Sequence, residues 1–579
     1  MLKRQYFLAA AALAIAVSTH SSAGTSTGEQ GDAPAQNIER DVAALTKARL
    51  RDRLGPLGPA FSQNREVRSF DGSGNNQADP LAGATFRQFQ RMTPAAYGDG
   101  ISSMAAPLRA NPRTVSNMVV DQAGASYPNN FGTSDFLWQW GQFIDHDITL
   151  GDGVRTGDRS FDIKVPAGDP MFDPFNTGTK TMHFDRAIFD EETGTDLSNP
   201  REQLNELTSW IDGSMVYGNN DDRAAALRTN DGTGRLKTSA GDLLPFNTDE
   251  LPNANEGPTD PKDLFLAGDV RSNEQVGLTV MHTLFVREHN RWADHIKKTR
   301  PWFSDDDIFY AARRMVIAEI QIITYEEFLP ALIGKRAIPR YRGYKPGDPT
   351  IFTEFSGAAY RLGHTLINSR LMRLDAKGRE IPEGHLALRD AFFNAPSILK
   401  KRDDLDPVLR GLATQESQTF DHMIVDDLRN FLFGPPGAGG FDLAALNIQR
   451  GRDRGIASYN DVRDAMGLGR VRDFDEITSD PAVQEALYRA YGSVDDIDLW
   501  VGGICEDPME RDGSHLGPTF RHIVIHQFTA LRDNDRFWWE RDLTLGEQIM
   551  VRNVRLSDII QANTNIGRRE IPRNVFYAK

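Results

Sequence analysis

Ten residues, Trp138-Gln-Trp-Gly-Gln142-Phe-Ile-Asp145-His146-Asp147, constrain this chain more than any other stretch. On a helix Gln142, Asp145 and His146 stand at i, i+3 and i+4, so an amide, a carboxylate and an imidazole share one face. Asp147 lies about 100° further round and faces elsewhere. Phe136, Leu137, Trp138, Trp140, Phe143 and Ile144 make the rest of the segment apolar. Polar groups in such company need partners, water or a cofactor. The pattern suits a catalytic face, but equally a polar helix face at a domain seam or the His-Asp pair of a metal-dependent phosphohydrolase.

The chain cannot brace such a segment with disulfides, because Cys505 is its single cysteine. That matters because residues 1–23 have the layout of an export leader: Lys3 and Arg4, an apolar run from Phe7 to Val17, then Ser21-Ser22-Ala23. The run falls short of the roughly 20 residues a membrane span needs. A secreted or periplasmic protein with no stable membrane span is expected, held together by its core and by a metal or cofactor. Residues 24–65 are polar and rich in Gly, Ser and Gln, and read as a flexible arm with one helical patch from Ile38 to Leu54. With 66 Lys+Arg against 81 Asp+Glu the net charge is -15, and no long basic block occurs. Nucleic acid and anionic membrane are therefore not expected as partners.

Further along, Glu202 to Leu207 reads as a short helix leading into Thr208-Ser-Trp210-Ile-Asp212-Gly-Ser214. Thr208, Asp212 and Ser214 offer alternating oxygens that suit a hard cation, with Asp147 as a candidate second carboxylate. A turn that satisfies its own backbone explains the same residues. A core helix is predicted from Val276 to Lys298, where Leu278, Met281, Leu284, Phe285 and Trp292 recur at helical spacing. Its His282 and His289 share a face and read as structural histidines, since no third ligand follows at a usual spacing. Long helices are also predicted over Asp305–Leu332, ending near Gly334, and over Glu354–Asn368, where His364 sits between Gly363 and Thr365. The small neighbour Gly363 would let a flat ligand come close to the backbone. Polar side chains crowd Leu446-Asn447-Ile-Gln-Arg450-Gly-Arg452-Asp453, and aromatics crowd Arg536-Phe-Trp-Trp539. Strand signals are few, and a mainly α fold is expected.

Taken in order, Trp140–Asp147, Leu207–Gly218, Phe265–Arg271, His282–Asn290, Arg361–Leu366, Leu446–Asp453 and Asp535–Glu540 resemble the animal-type haem peroxidase family of the peroxidase-cyclooxygenase superfamily. The resemblance runs from about Arg68 to Phe576 and implies a single, largely helical peroxidase domain with very little β structure over 66–579. It implies His146 as distal histidine, Gln142 beside it and Arg271 as distal arginine. It also implies His364 as the haem-iron ligand, oriented by Asn447 accepting from its other ring nitrogen. Asp145 and Glu274 match the carboxylates that form ester bonds to haem, so haem b or ester-linked haem is the expected cofactor. Arg361 matches a partner of a haem propionate, and Asp147, Thr208, the Trp210 carbonyl, Asp212 and Ser214 match a calcium site. The implied activity uses hydrogen peroxide to oxidise small anionic or phenolic reductants, in a protein expected to be a monomer.

Departures qualify what transfers. Gly74 stands where a half-cystine is common, and Gln275 stands where some members carry a methionine linked to haem. Two covalent haem links at most are therefore expected, with bromide, iodide and thiocyanate preferred to chloride. Two other functions compete. A fatty-acid dioxygenase would need a radical tyrosine in a Tyr-x-x-His setting, whereas Tyr360 stands four residues before His364. An adhesion or matrix protein on an inactive peroxidase fold would not need His146, Arg271, His364 and Asn447 all intact.

Overall fold

Apolar spacing and aromatic bulk place three helices at the centre of the protein. The computed structural model describes Phe61 and residues 65–151 and 156–579. The expected leader 1–23, and all of the arm 24–65 except Phe61 and Arg65, lie outside the described residues, which fall within one unit, Ala60–Lys579. Helix α1 spans Phe136–Ile148, α2 Val276–Thr299 and α3 Asp305–Ile323. Trp140 and Phe143 of α1 pack on Phe285 of α2 at ring-centroid distances of 5.7 and 5.1 Å, a buried aromatic seam that fixes how α1 is turned. Gln275 caps α2 by accepting from the Gly277 N–H, and Ser304 with Asp307 forms a capping box on α3.

The predicted helix over Asp305–Leu332 is interrupted. Beyond α3 the chain widens into a π turn, Thr324–Phe328, then resumes as Leu329–Ile333 and stops at Gly334. Pro330 cannot donate to a carbonyl one turn back, and the turn widens to absorb the missing bond. Glu354–Asn368 also differs from expectation: a helix covers Thr353–Gly357, Ala358 breaks it at φ -139° and ψ -72°, and a 3-10 helix covers Ala359–Thr365. Tertiary anchoring overrides propensity here. The Glu354 carboxylate accepts from the N–H groups of Met92 and Thr93 at 3.0 and 3.1 Å, and the end of the Ile456 side chain packs directly on Gly357.

The expected helix over Glu202–Leu207 is instead extended, Leu204–Asn205 pairing antiparallel with Arg87–Gln88. Buried Asn205 spans the exit of α1, donating to the Ile148 carbonyl and accepting from Leu150 N–H, both at 2.9 Å. Only an extended backbone lets that amide reach both groups. Among the described residues regular strands occur as three two-residue pairs, and the fold is mainly α. No described helix is long and apolar enough to cross a membrane, and Cys505 is free and buried.

Helix α4, Leu443–Asp453, carries the crowded polar run, and the charges of Arg452 and Asp453 are paired within the protein. Arg452 forms a two-pronged pair with Asp498 at 3.1 and 2.7 Å, and Asp453 accepts from Arg186 at 2.6 Å. Asp442 caps α4 by accepting from Ala445 N–H at 3.0 Å while its other oxygen accepts from Arg113 at 2.7 Å. Arg113, wholly buried, also donates to Asp169 at 2.8 Å and to Asn430 at 2.9 Å. Removing that cation leaves two carboxylates uncompensated. Arg113→Met is expected to cost about 3–5 kcal/mol and to lower the denaturant midpoint. An unchanged midpoint would show that water reaches this cluster.

Candidate functional site

A cavity of about 740 Å³ opens between α1, the loop 268–275 and the 3-10 helix Ala359–Thr365. Cofactor sites usually fall in the range of roughly 300–1,000 Å³. Helix α1 contributes Gln142, Asp145 and His146 to its wall, as helical spacing predicts, and the wholly buried Asp147 is turned away. The loop contributes Asp269, Arg271 and Glu274; the 3-10 helix contributes Arg361, Gly363 and His364. A Cβ at Gly363 would meet nothing, so this stretch of wall is open backbone. The two imidazoles of His146 and His364, 218 positions apart in the chain, thus line one space.

On the α1 side the charges interlock. Arg271 Nε and Nη2 donate to the two oxygens of Asp269, both at 2.9 Å, and Nη2 also donates to the Thr149 carbonyl at 3.2 Å. Its remaining Nη1 lies 3.5 Å from Asp145. Burial alone would push the Asp269 carboxyl up; Arg271, then His146, override it and hold it far below the usual carboxylate range. His146 Nδ1 lies 3.3 Å from Asp269 at an angle that falls short of a hydrogen bond. Burial first, and the Arg271 charge second, press the His146 pKa well below its ordinary value, so the ring is neutral near pH 7. Asp269 was not singled out from sequence. Its place two residues before Arg271 is the signal that could have found it.

Gln142 is fixed from both ends, its amide nitrogen 3.3 Å from Glu274 and its oxygen accepting from Gln275 at 3.1 Å. Gln275 is itself bound by Gln139 at 2.7 Å and by the Gly277 N–H at 2.6 Å. Asp145 and Glu274 point into the cavity with 30% and 28% of their side-chain surface open. Burial raises Asp145 to about 6 and Glu274 to about 7, restrained in both by Arg271.

Across the cavity, His364 Nδ1 lies 2.8 Å from Asn447 Nδ2, on the buried face of α4. As placed, the amide donates to the ring, the reverse of the expected sense. A half-turn of that amide puts its oxygen, which has no hydrogen-bond partner here, against Nδ1. Burial, then Arg361 and Arg450, lower His364 to about 3, which keeps it neutral. Arg361 donates from Nε to the Ser356 carbonyl at 3.1 Å.

Behind α1, Asp212 and Ser214 meet Asp147, and Thr208 and Trp210 of the same loop are buried with them. Asp147 accepts from the N–H groups of Asp212 and Gly213 at 3.1 and 3.2 Å and from the Ser214 hydroxyl at 2.9 Å. Thr208 donates to Asp212 at 3.2 Å. Gly213 makes the turn at φ 76°, where side chains are disfavoured. Burial and the neighbouring Asp212 raise the Asp147 carboxyl above the usual carboxylate range; burial, eased by Arg313, raises Asp212 as well. Two buried acids side by side, bonded by the Ser214 and Thr208 hydroxyls, are groups that could hold a hard cation. Elsewhere His289 is satisfied as expected, its ring nitrogens 3.0 Å from the Tyr217 hydroxyl and 2.9 Å from the Gly234 carbonyl, whereas His282, equally buried against Phe143, makes no well-formed hydrogen bond at either ring nitrogen.

Residues 67–576 match the family profile described as Animal haem peroxidase. The chain is 37% identical to Peroxinectin A of Dictyostelium discoideum, over 89% of this chain and 97% of that one. It is 35% identical to Lactoperoxidase of Mesocricetus auratus, over 94% and 82%. It is 36% identical to the human Peroxidasin homolog over 82% of this chain, which spans 35% of that longer protein. Among solved structures, Peroxidase A from Dictyostelium discoideum superposes with a TM-score of 0.82 at 34% identity, covering 89% of this chain and 100% of that one. A fatty acid alpha-dioxygenase of Oryza sativa gives a TM-score of 0.70 at 22% identity over 88% and 87%, a likeness of fold alone.

The raised carboxyls of Asp145 and Glu274 carry a pH consequence. Their pKa values exceed the unfolded values near 4, so the folded haem-free protein binds more protons than the unfolded chain, and stability falls as pH rises through about 6 and 7. Thermal melts of haem-free protein should show that fall, with a shallower slope in Glu274→Gln. Equal slopes would mean that cavity water cancels the shift.

Proposed function

The chain belongs to the animal haem peroxidase family and is a haem peroxidase, and from that premise we propose that it uses hydrogen peroxide to oxidise small anions and phenols in the cavity between His146 and His364. Bromide, iodide and thiocyanate are the preferred anions over chloride. The observation that carries this reading is the convergence of His146, Arg271 and His364 on one cavity from three distant stretches of chain. The residues present fit haem: a slot of suitable volume, a neutral buried histidine backed by an amide, and cationic Arg361 at the wall.

Bound haem supplies the redox-active iron that takes the oxidising equivalents from peroxide. His364 would ligate that iron through Nε2, which requires the proton on Nδ1 and so the Asn447 oxygen turned toward it. A neutral amide partner makes the imidazole less electron-rich than a carboxylate would, favouring a stronger oxidant. Neutral His146 can take the first proton from peroxide and return it to the departing oxygen. Arg271 is held cationic by Asp269 and stabilises the charge that develops as the O–O bond breaks. The same cation attracts anionic reductants into the cavity.

Asp145 and Glu274, open to the cavity, are the proposed ester links to haem. Gln275, engaged by Gln139 and Gly277, offers no sulfur for a third. Calcium at Asp147, Thr208, the Trp210 carbonyl, Asp212 and Ser214 would neutralise the acid pair, tying the back of α1 to the loop while its front faces haem. Export through the leader 1–23 completes the proposal.

His146→Ala should slow the peroxide reaction followed by the Soret band about 10²–10⁴-fold, while haem stays bound through His364. A variant as fast as the parent would remove His146 from proton transfer. In parallel assays of chloride, bromide, iodide, thiocyanate and a phenol, chloride should rank last at neutral pH. Efficient chloride turnover would contradict the assignment of Gln275. Acid-acetone should leave haem on the peroxide-treated parent and release it from the Asp145→Asn/Glu274→Gln double variant, as read by peptide mass.

A further inference from the structure

A file of aromatic rings leads away from the cavity and takes in the Phe537-Trp538-Trp539 segment, which the chemistry above leaves unused. Tyr360 lines the cavity, is buried, stacks on Phe355 at 4.6 Å and 16°, and its hydroxyl has no hydrogen-bond partner. Helix α5, Pro518–Asp533, places Phe528 at 5.5 Å from Tyr360 and 6.1 Å from Tyr325, centroid to centroid. The π turn sets Tyr325 outward from the cavity wall, where it meets buried Trp538 at 5.0 Å. Trp538 in turn lies 5.9 Å from Tyr341 and 6.5 Å from Trp539, and both of these rings are partly open to solvent.

Core aromatics usually cluster for packing alone. The seam of Trp140, Phe143, Phe285 and Phe576 is of that kind, being mostly phenylalanine and wholly buried. The second file differs in two respects. Four of its five successive rings from the cavity to Tyr341 are oxidisable, and it runs from the cavity wall to the surface. Its outer end lies on the segment 335–346, where Lys335, Arg336, Arg340 and Arg342 are exposed.

We propose that Tyr360, Tyr325, Trp538 and Tyr341 form an electron relay through which phenolic donors too large for the cavity, and anionic in character, are oxidised at the surface. The proposal rests on the cavity being the haem site. Each hydrogen peroxide takes up two electrons and two protons and leaves as two waters. Two surface phenols each give up one electron and one proton and become phenoxyl radicals. Every relay ring gives an electron inward and is refilled from outside, so none is consumed. Each relay phenol keeps its proton while the electron passes, and at Tyr325 the hydrogen bond donated to the Phe528 carbonyl at 2.6 Å holds it. The exposed cations Lys335, Arg336, Arg340 and Arg342 attract an anionic donor although the chain as a whole carries -15, because two of the three carboxylates near Tyr341 are already paired, Asp533 with Lys345 and Asp535 with Arg68, leaving Glu540; salt screens the attraction.

The test uses the haem-loaded protein and its Tyr325→Phe and Trp538→Phe variants, which keep aromatic packing and remove an easily oxidised ring. Each is treated with peroxide and a nitroso spin trap, and adducts are located by peptide mass spectrometry. Oxidation of iodide is compared with that of phenol groups tethered to a sulfated dextran. Expected are adducts on Tyr341 or Trp539 in the parent, and a loss of about tenfold in those adducts and in dextran-phenol oxidation in both variants, with iodide turnover within about twofold. Retained iodide turnover with unchanged adducts and unchanged dextran-phenol oxidation in both variants would overturn the relay alone. A parent protein with no peroxide-sensitive Soret band and no iodide turnover would overturn the haem reading and the relay together.

Discussion

Both oxygens of the Asp269 carboxylate accept from one edge of the Arg271 guanidinium, and the group stands 3.3 Å from His146 with none of its side-chain surface open to water. A charge buried so completely is tolerable only when paired, and here the partner is the cation that faces the cavity. The pairing holds Arg271 in one orientation, and Arg271 together with burial keeps His146 neutral. Loss of that carboxylate would leave Arg271 buried without its principal counter-charge and free to turn toward Asp145. After burial, this one pair is the next influence on the protonation of His146, Asp145 and Glu274.

Around it the protein keeps polar groups where a simple core would be apolar. Asp145 and Glu274 are held with raised pKa values at the cavity wall, and Asp147 with Asp212 on the reverse of the same helix. Both sets are costly to bury without partners, and both lie where a cofactor or cation would take up the charge. Helix α1 is therefore loaded on two faces with buried polar groups, while its third face is locked by Trp140 and Phe143 against Phe285. Orientation comes from the aromatic face, and polarity from the other two.

Helical periodicity made α1, α2 and most of α3 legible, because apolar spacing over ten or more residues reports a buried stripe directly. It missed the break at Ala358 and the π turn at Thr324–Phe328, where local propensity favours continuation. A carboxylate clamp by Glu354 decides the first, and the missing N–H of Pro330 the second. It also took Glu202–Leu207 for a helix, since nothing local shows that Asn205 must reach both Ile148 and Leu150. Among site residues, Asp269 went unnoticed because a single acid in a loop acquires meaning only from what folds against it.

The order of residue types along the chain determined which chemistry was available: one face of α1 with amide, carboxylate and imidazole, an arginine in the loop before α2, and a histidine beside a glycine. Side-chain type and helical repeat are local properties, so they survive in the linear sequence. The closure of His146 and His364 on one cavity, the neutral state of both rings, and the file of rings from Tyr360 to Tyr341 were decided only by tertiary structure. Distance, burial and charge pairing between residues remote in sequence set those features, and none of the three exists until the chain has packed.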